Sequence, residues 1–201
     1  TGDLLDAVVE DLKKVETADD EEEDGGINIA IIGRPNAGKS SLFNRILGAD
    51  RSIVSNIAGT TRDAIDTVVE RNGKHYRMVD TAGIRRKSRV DDEIEKYSVI
   101  RAQMAIDRSD VCVIMIDATE GFTEQDSKVA GYAHEKGKAC VVAVNKWDAI
   151  EKETNTMNDF QKKLQDDFSF MSYVPFVFIS AKTGLRMDKL FDTIKFVAEQ
   201  N

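Results

Sequence analysis

The chain has 201 residues, 41% of them hydrophobic, and can bury the core of one domain. Its formal net charge of −8 argues against a broad nucleic-acid-binding face, because phosphate backbones favour clustered Lys and Arg. Much of this excess is local, since residues 16–24 carry seven acids and no base. No apolar run approaches the roughly 20 residues that span a bilayer, and no secretory signal opens the chain. We therefore expect a cytoplasmic protein with no membrane partner.

Residues 1–15 place their apolar side chains on one face of a predicted helix. That face consists of Leu4, Leu5, Val8, Val9, Leu12 and Val15. Residues 16–26 form an acidic run that ends in two glycines and indicates a flexible linker. Because residues 1–8 echo residues 183–194, we interpret the first helix as the end of a preceding domain of the same kind. The alternative, that two amphipathic helices look alike over eight residues, stays open.

From residue 27 onward, apolar runs alternate with amphipathic segments. Six runs predict strands over residues 27–32, 66–71, 75–79, 111–117, 139–144 and 176–179. Helices are predicted after Lys39, Asp91, Thr123, Thr156 and Met187. The dipeptide Asn72 and Gly73 predicts a tight hairpin between the second and third strands, so one edge strand should run antiparallel. We predict a three-layer α/β fold with a six-stranded, mostly parallel sheet.

A phosphate-binding loop is predicted directly after the first strand. It consists of Gly33, Arg34, Pro35, Asn36, Ala37, Gly38, Lys39 and Ser40, and Ser41 continues into the next helix. Glycines let backbone N–H groups converge on phosphate oxygens, and the helix N-terminus adds partial positive charge. We expect Lys39 to bridge the β- and γ-phosphates and Ser40 to ligate Mg²⁺. Asn36 is expected to help hold a monovalent cation; a hydrogen bond that braces the loop is its alternative role.

Two further loops are expected to respond to a γ-phosphate. Thr60 and Thr61 lie in the loop 56–62, where the Thr61 hydroxyl should cap Mg²⁺ and the phosphate. A capped surface turn is the alternative reading of this pair. After the third strand come Asp80, Thr81, Ala82 and Gly83. We expect Asp80 to reach Mg²⁺ through a water and the Gly83 amide to meet the γ-phosphate.

The last two motifs predict that the base is guanine. They are Asn145, Lys146, Trp147 and Asp148 after the fifth strand, and Ser180, Ala181 and Lys182 after the sixth. Asp148 can accept two hydrogen bonds from the guanine N1–H and exocyclic amine, a paired donor edge that adenine lacks. Asn145 should brace the loop, Lys146 should lie along the base, and the Ala181 N–H should meet guanine O6. Trp147 is expected to be a packing or surface residue and not a catalytic one.

The residue after Gly83 is Ile84, where many small GTPases carry a glutamine that orients the attacking water. Isoleucine has no polar group for this task. We therefore expect slow hydrolysis unless a cation or a partner supplies the missing organisation. The candidate catalytic residues are Lys39, Thr61 and Asn36.

These motifs together resemble the bacterial GTPases with two tandem G domains known as Der or EngA, which assist assembly of the large ribosomal subunit. The resemblance is carried by residues 57–66, 80–87, 95–101 and 145–148 and covers residues 27–201, most closely as the second G domain. It implies that residues 1–15 end the first G domain and that K⁺ assists hydrolysis through Asn36. The family carries a KH-type domain after the second G domain, absent from these 201 residues. We expect ribosome contact only through the full-length protein, no direct RNA binding here, and a monomer.

The sequence therefore predicts a Ras-like P-loop GTPase domain that binds GTP and GDP with Mg²⁺ and acts as a switch in large-subunit assembly. Two alternatives stay open. The first is a nucleotide-dependent binding module that has negligible turnover on its own, and it is supported by the apolar Ile84. The G domain of a tRNA-modifying GTPase fits the phosphate motifs equally, although the basic run of residues 85–87 and the acidic linker weigh against it.

Overall fold

The computed structural model describes residues 26–49, 56–58, 65–81, 84 and 92–201. For residues 56–58 and 92–98 it describes the backbone alone. The predicted helix of residues 1–15 and the linker up to residue 25 lie outside these ranges. The predicted site residues Thr60, Thr61, Ala82 and Gly83 lie outside them too.

The strands of the described residues form one sheet. They are β1 (Ile27–Gly33), β2 (Asn56–Ala58), β3 (Ile65–Arg71), β4 (Lys74–Met78), β5 (Val111–Asp117), β6 (Ala139–Asn145) and β7 (Phe176–Phe178). The order across the sheet is β2-β3-β4-β1-β5-β6-β7. β3 runs antiparallel to β2 and β4, and the other pairs are parallel. The six predicted strands and their single antiparallel member are confirmed. The three-residue β2 adds to them, so β3 is second from the edge and not at it.

Five α-helices lie in the described part of the chain. They are α1 (Lys39–Ala49), α2 (Asp92–Asp107), α3 (Glu124–Glu135), α4 (Thr156–Asp167) and α5 (Met187–Glu199). All five begin where the sequence predicts. α3 shows the local cause, because the Thr123 side chain accepts from the Asp126 amide while the Asp126 carboxylate accepts from the Thr123 amide. None of these helices combines the length and the hydrophobicity that a transmembrane span requires.

The sheet separates two apolar layers, so the three-layer prediction is confirmed. Side chains of β1 alternate between them, with Ile29 and Ile31 in one core cluster and Ala30 and Ile32 in the other. One layer receives α1 and α5, and the other receives α2, α3 and α4. Every residue of β5 is buried, as expected for a central parallel strand covered on both faces.

The turn between β3 and β4 follows the sequence prediction. Asn72 and Gly73 have φ of 52° and 72°. Two consecutive positive φ values are what a tight hairpin turn with right-handed strand twist requires, and Asn and Gly are the residues that adopt them most readily. Cys112 and Cys140 are buried on the neighbouring strands β5 and β6 and form no disulfide, so both are core residues.

Candidate functional site

The predicted motifs follow the carboxyl ends of strands in the parallel part of the sheet. The phosphate loop follows β1, Lys146 and Asp148 follow β6, and Ser180 follows β7 by two residues. Because these strands are parallel, their carboxyl ends meet at one edge of the sheet, where open α/β folds bind ligands. The topology thus brings together segments that lie more than 100 residues apart in the sequence.

The phosphate loop depends on two glycines. Gly38 has φ of +103°, a conformation that side chains with a Cβ rarely adopt, and a Cβ there would overlap the Asn145 side-chain amide. At Gly33 a Cβ would lie 2.7 Å from the Met115 carbonyl oxygen on β5. The first glycine of the pattern is therefore required by close packing on the sheet, and the second by both conformation and packing.

Lys39 opens α1 and points back into the loop. Its amino group donates to the Gly33 carbonyl at 2.6 Å and to the Arg34 carbonyl at 2.8 Å. Burial lowers the pKa of the Lys39 amine to about 8. The loop thus holds a cation at the centre of its backbone, which is the arrangement that an anionic phosphate group would meet.

The side chain of Arg34 turns away from the loop. Its guanidinium donates to the Glu120 carboxylate at 2.6 Å, to the buried Asp126 carboxylate at 3.1 Å and to the Gly121 carbonyl at 3.2 Å. All three acceptors lie in or near the segment that connects β5 to α3. Arg34, predicted among the nucleotide-binding residues, is therefore an anchor of the loop through its side chain and can meet a ligand only through its backbone.

Asn145 joins the phosphate loop to the last motif. Its side-chain nitrogen donates to the Ala37 carbonyl at 2.9 Å, and its side-chain oxygen accepts from the Ala181 N–H at 3.0 Å. Asn145 itself is 3% exposed. The Ala181 N–H, which we expected at guanine O6, is thus already a partner of Asn145, and a base oxygen would have to share it.

Asp148 is held by Ser180, the first residue of the motif after β7. The Ser180 hydroxyl donates to one Asp148 carboxylate oxygen at 2.7 Å, and Ser180 is fully buried. Lys146 adopts φ of 61° and its amino group pairs with the Asp117 carboxylate at 2.6 Å. Trp147 is 1% exposed and packs against Phe160 and Phe178 with edge-to-face geometry. Of the two roles expected for Trp147, packing or surface, the structure therefore shows packing: its side chain belongs to the core.

The predicted magnesium ligands Ser40 and Asp80 lie in the first turn of α1 and in the segment after β4. The Ser40 hydroxyl donates to the Ile84 carbonyl at 2.8 Å, and its oxygen lone pairs remain for a cation. The Asp80 N–H donates to the Asp66 carboxylate at 3.0 Å. Burial raises the pKa of Asp80, against the opposing charges of Arg101 and Arg108. The neighbouring Thr81 does not face the site through its side chain.

Thr81 is fully buried and its hydroxyl donates to the Ile65 carbonyl at 2.8 Å. Its oxygen also lies 3.0 Å from the Thr67 hydroxyl. Its predicted role in nucleotide binding is therefore limited to the backbone, because the hydroxyl is turned towards β3. Ile84 is partly buried and packs against the core cluster that contains α1 and α5.

Comparison with known proteins identifies the family. Residues 28–146 match the family model described as 50S ribosome-binding GTPase. The chain belongs to this family.

Curated relatives agree with that assignment. The chain is 60% identical over 194 residues to the GTPase Der of Clostridium tetani and 57% identical over 199 residues to that of Ruminiclostridium cellulolyticum. These matches cover 96% and 99% of the chain but only 44% and 45% of the relatives, so the chain spans less than half of their length. A solved structure of Era with MgGDPNP and a segment of 16S ribosomal RNA is 32% identical. It aligns with a TM-score of 0.64 over 84% of this chain and 55% of its own.

Two residues near the candidate site, Asp117 and Arg45, carry no strong local signal in the sequence. Asp117 is the last residue of β5. Asp80 likewise lies near the end of a strand, β4, so its position at a strand end could have identified Asp117 as a candidate site residue. Arg45 lies in the middle of α1, and its guanidinium contacts the Ala181 and Lys182 carbonyls. Nothing in its neighbourhood in the sequence distinguishes it from a solvent-facing helical arginine.

Proposed function

We propose that this chain binds GTP and GDP and hydrolyses GTP to GDP and phosphate. The observation that carries the proposal is the bridge made by Asn145, which ties the phosphate loop at Ala37 to the base-reading motif at Ala181. The proposed phosphate loop and the proposed base-reading motif are thereby connected by hydrogen bonds of one side chain. The contact of Ser180 with Asp148 supports the assignment of the base, because it fixes the carboxylate that would accept from the guanine N1–H and amine.

The residues present fit a magnesium ion. Ser40 supplies a hydroxyl oxygen and Asp80 a carboxylate, which are the hard oxygen donors that Mg²⁺ prefers. Thr61, outside the described residues, is the proposed third ligand. The ion would supply positive charge to neutralise the phosphates. Asn36, at φ of 65°, is the residue that we propose for a K⁺ ion.

In this proposal the chain contributes positioning and charge stabilisation and forms no covalent intermediate. Lys39 holds its ammonium group against two loop carbonyls and would place it between the β- and γ-phosphate oxygens. The Arg34 side chain anchors the loop to the β5–α3 segment, and Asn145 connects the loop to Ala181. The loop is thus preorganised, and little of the binding energy has to be spent on ordering it.

We further propose that the full-length protein acts in assembly of the large ribosomal subunit. The support is the membership in a 50S ribosome-binding family and the similarity to proteins named GTPase Der. The chain covers less than half of those relatives, so the ribosome contact is assigned to the whole protein. A cytoplasmic location stays a prediction from the sequence.

A second candidate function is a nucleotide-dependent binding module with negligible turnover alone. It is favoured by Ile84, whose side chain packs against the apolar core and has no group that could orient a water. In this alternative the chain exchanges GTP and GDP, and hydrolysis requires regions of the protein beyond these residues.

Steady-state release of phosphate from GTP, in KCl and in NaCl at equal ionic strength, separates the two functions. ATP serves as the control for the base. Lys39→Ala should abolish turnover, whereas Lys162→Ala, which removes an exposed lysine of α4, should leave it unchanged. Turnover of GTP but not of ATP, with a higher rate in KCl than in NaCl, would support an enzyme with a K⁺ ion at Asn36. A nucleotide-binding chain without Lys39-dependent turnover in either salt would contradict it and favour the binding module.

A further inference from the structure

Arg45 links the helix that follows the phosphate loop to the base-reading motif. The residue is half-buried on α1, between the exposed Asn44 and the buried Ile46. Its Nε donates to the Ala181 carbonyl at 2.9 Å, and its Nη2 donates to the Lys182 carbonyl. The guanidinium therefore gathers two consecutive carbonyls of the loop after β7, from a position 136 residues earlier in the chain.

These two contacts extend to the base-reading carboxylate. Because a peptide unit is planar, fixing the Lys182 carbonyl also fixes the direction of the Thr183 N–H. That N–H donates to the Ser180 hydroxyl oxygen at 3.1 Å, and the Ser180 hydroxyl donates to Asp148 at 2.7 Å. Hydrogen bonds arranged in such a chain polarise and orient one another. A continuous path thus runs from Arg45 to Asp148.

The chemistry of arginine suits this position. A guanidinium presents several N–H donors in a rigid plane, so one side chain can hold two neighbouring carbonyls at fixed angles. The guanidinium lies beside Gly184, where a Cβ would be in ordinary van der Waals contact with Arg45 Nη1 at 3.7 Å. A lysine would bring the same charge without the planar fork.

We propose that Arg45 is a positioning residue for guanine recognition, acting on Asp148 through Lys182, Thr183 and Ser180. The inference rests on the proposed function, because it assumes that Asp148 reads the base. Arg45 does not touch the nucleotide in this proposal. Its effect should therefore appear in the affinity for the guanine part and not in the affinity for the phosphates.

The test compares two ligands by displacement of fluorescent mant-GDP. GDP contains the base, and magnesium pyrophosphate contains phosphates alone. Arg45→Gln should lower the affinity for GDP by about tenfold, the size expected for losing hydrogen bonds from a charged donor, and leave that for pyrophosphate within about twofold. Arg45→Lys should fall between wild type and Arg45→Gln. Asn44→Ala, on the same helix and exposed, is the matched control and should behave as wild type.

Thermal unfolding monitored by circular dichroism shows whether each variant is folded. If Arg45→Gln does not fold, the comparison of GDP and pyrophosphate is made with Arg45→Lys. Unchanged GDP affinity in the folded Arg45 variants would overturn the inference. An equal loss of affinity for GDP and pyrophosphate would overturn it too, because it would mean general damage to α1. Failure of the proposed function looks different: wild type itself would then not prefer GDP over ADP.

Discussion

Replacing Asn145 by alanine should destabilise the fold as well as the site. The side chain is 3% exposed and satisfies the carbonyl of Ala37 and the N–H of Ala181, which belong to residues 1% and 3% exposed. Leaving a buried polar group without a partner costs roughly 1–3 kcal/mol. Two such groups give about 2–6 kcal/mol, and water that enters the space left by the amide should reduce this to about 2–4 kcal/mol.

Urea unfolding without nucleotide measures this loss directly, because the free energy of unfolding is then free of any contribution from ligand binding. Asn155→Ala is the matched control: Asn155 is exposed and precedes α4 without a side-chain capping bond. Its replacement should change the free energy of unfolding by less than about 0.5 kcal/mol.

A free energy of unfolding for Asn145→Ala equal to that of Asn155→Ala would contradict this prediction. Such a result would mean that the two backbone groups find other partners at no cost, and that Asn145 does not join the two loops. A loss within the expected range, with an unchanged dependence on urea concentration, would show that the native state has weakened and not that the unfolded state has changed.

Three further outcomes are expected. Gly38→Ala should destabilise the chain through its φ of +103° and its overlap with Asn145, and the penalty should shrink in the Asn145→Ala background; additive losses measured by urea unfolding would contradict the overlap. Burial raises the pKa of Asp117, but hydrogen bonds from Lys146 and Thr119 outweigh it and hold that pKa below its ordinary value. The stability from this carboxylate is therefore present above its unfolded pKa of about 3.9 and lost as the pH falls through the folded value, so wild type should lose more stability than Asp117→Asn between about pH 5 and pH 3. Asp148→Asn should shift the preference from GTP towards XTP in competition binding, and a retained preference for GTP would remove Asp148 as the base-reading residue.

Local patterns in the sequence were sufficient for the elements and for the chemistry of the motifs. Strands 27–32 and 139–144 were predicted from their largely apolar runs, which are typical of central parallel strands. The helix after Thr123 was also predicted, and the structure shows that Thr123 and Asp126 form a capping pair at its start. The turn at Asn72 and Gly73 was also predicted from local sequence, because few residues adopt the positive φ values that this turn requires. The assignments of Lys39, Asp80 and Asp148 to phosphate, magnesium and base remain predictions.

Only the tertiary structure decided which long side chains hold the site together. Arg34 reaches Asp126 across 92 positions and Arg45 reaches Ala181 across 136, while Trp147, in the middle of a binding motif, packs into the core. The sequence by itself indicates local properties, namely the φ values that a residue can adopt, the hydrophobic periodicity of a segment and the burial of its apolar residues. Which carbonyl a guanidinium meets depends on the order of the strands, and that order is set by packing between segments far apart in the chain.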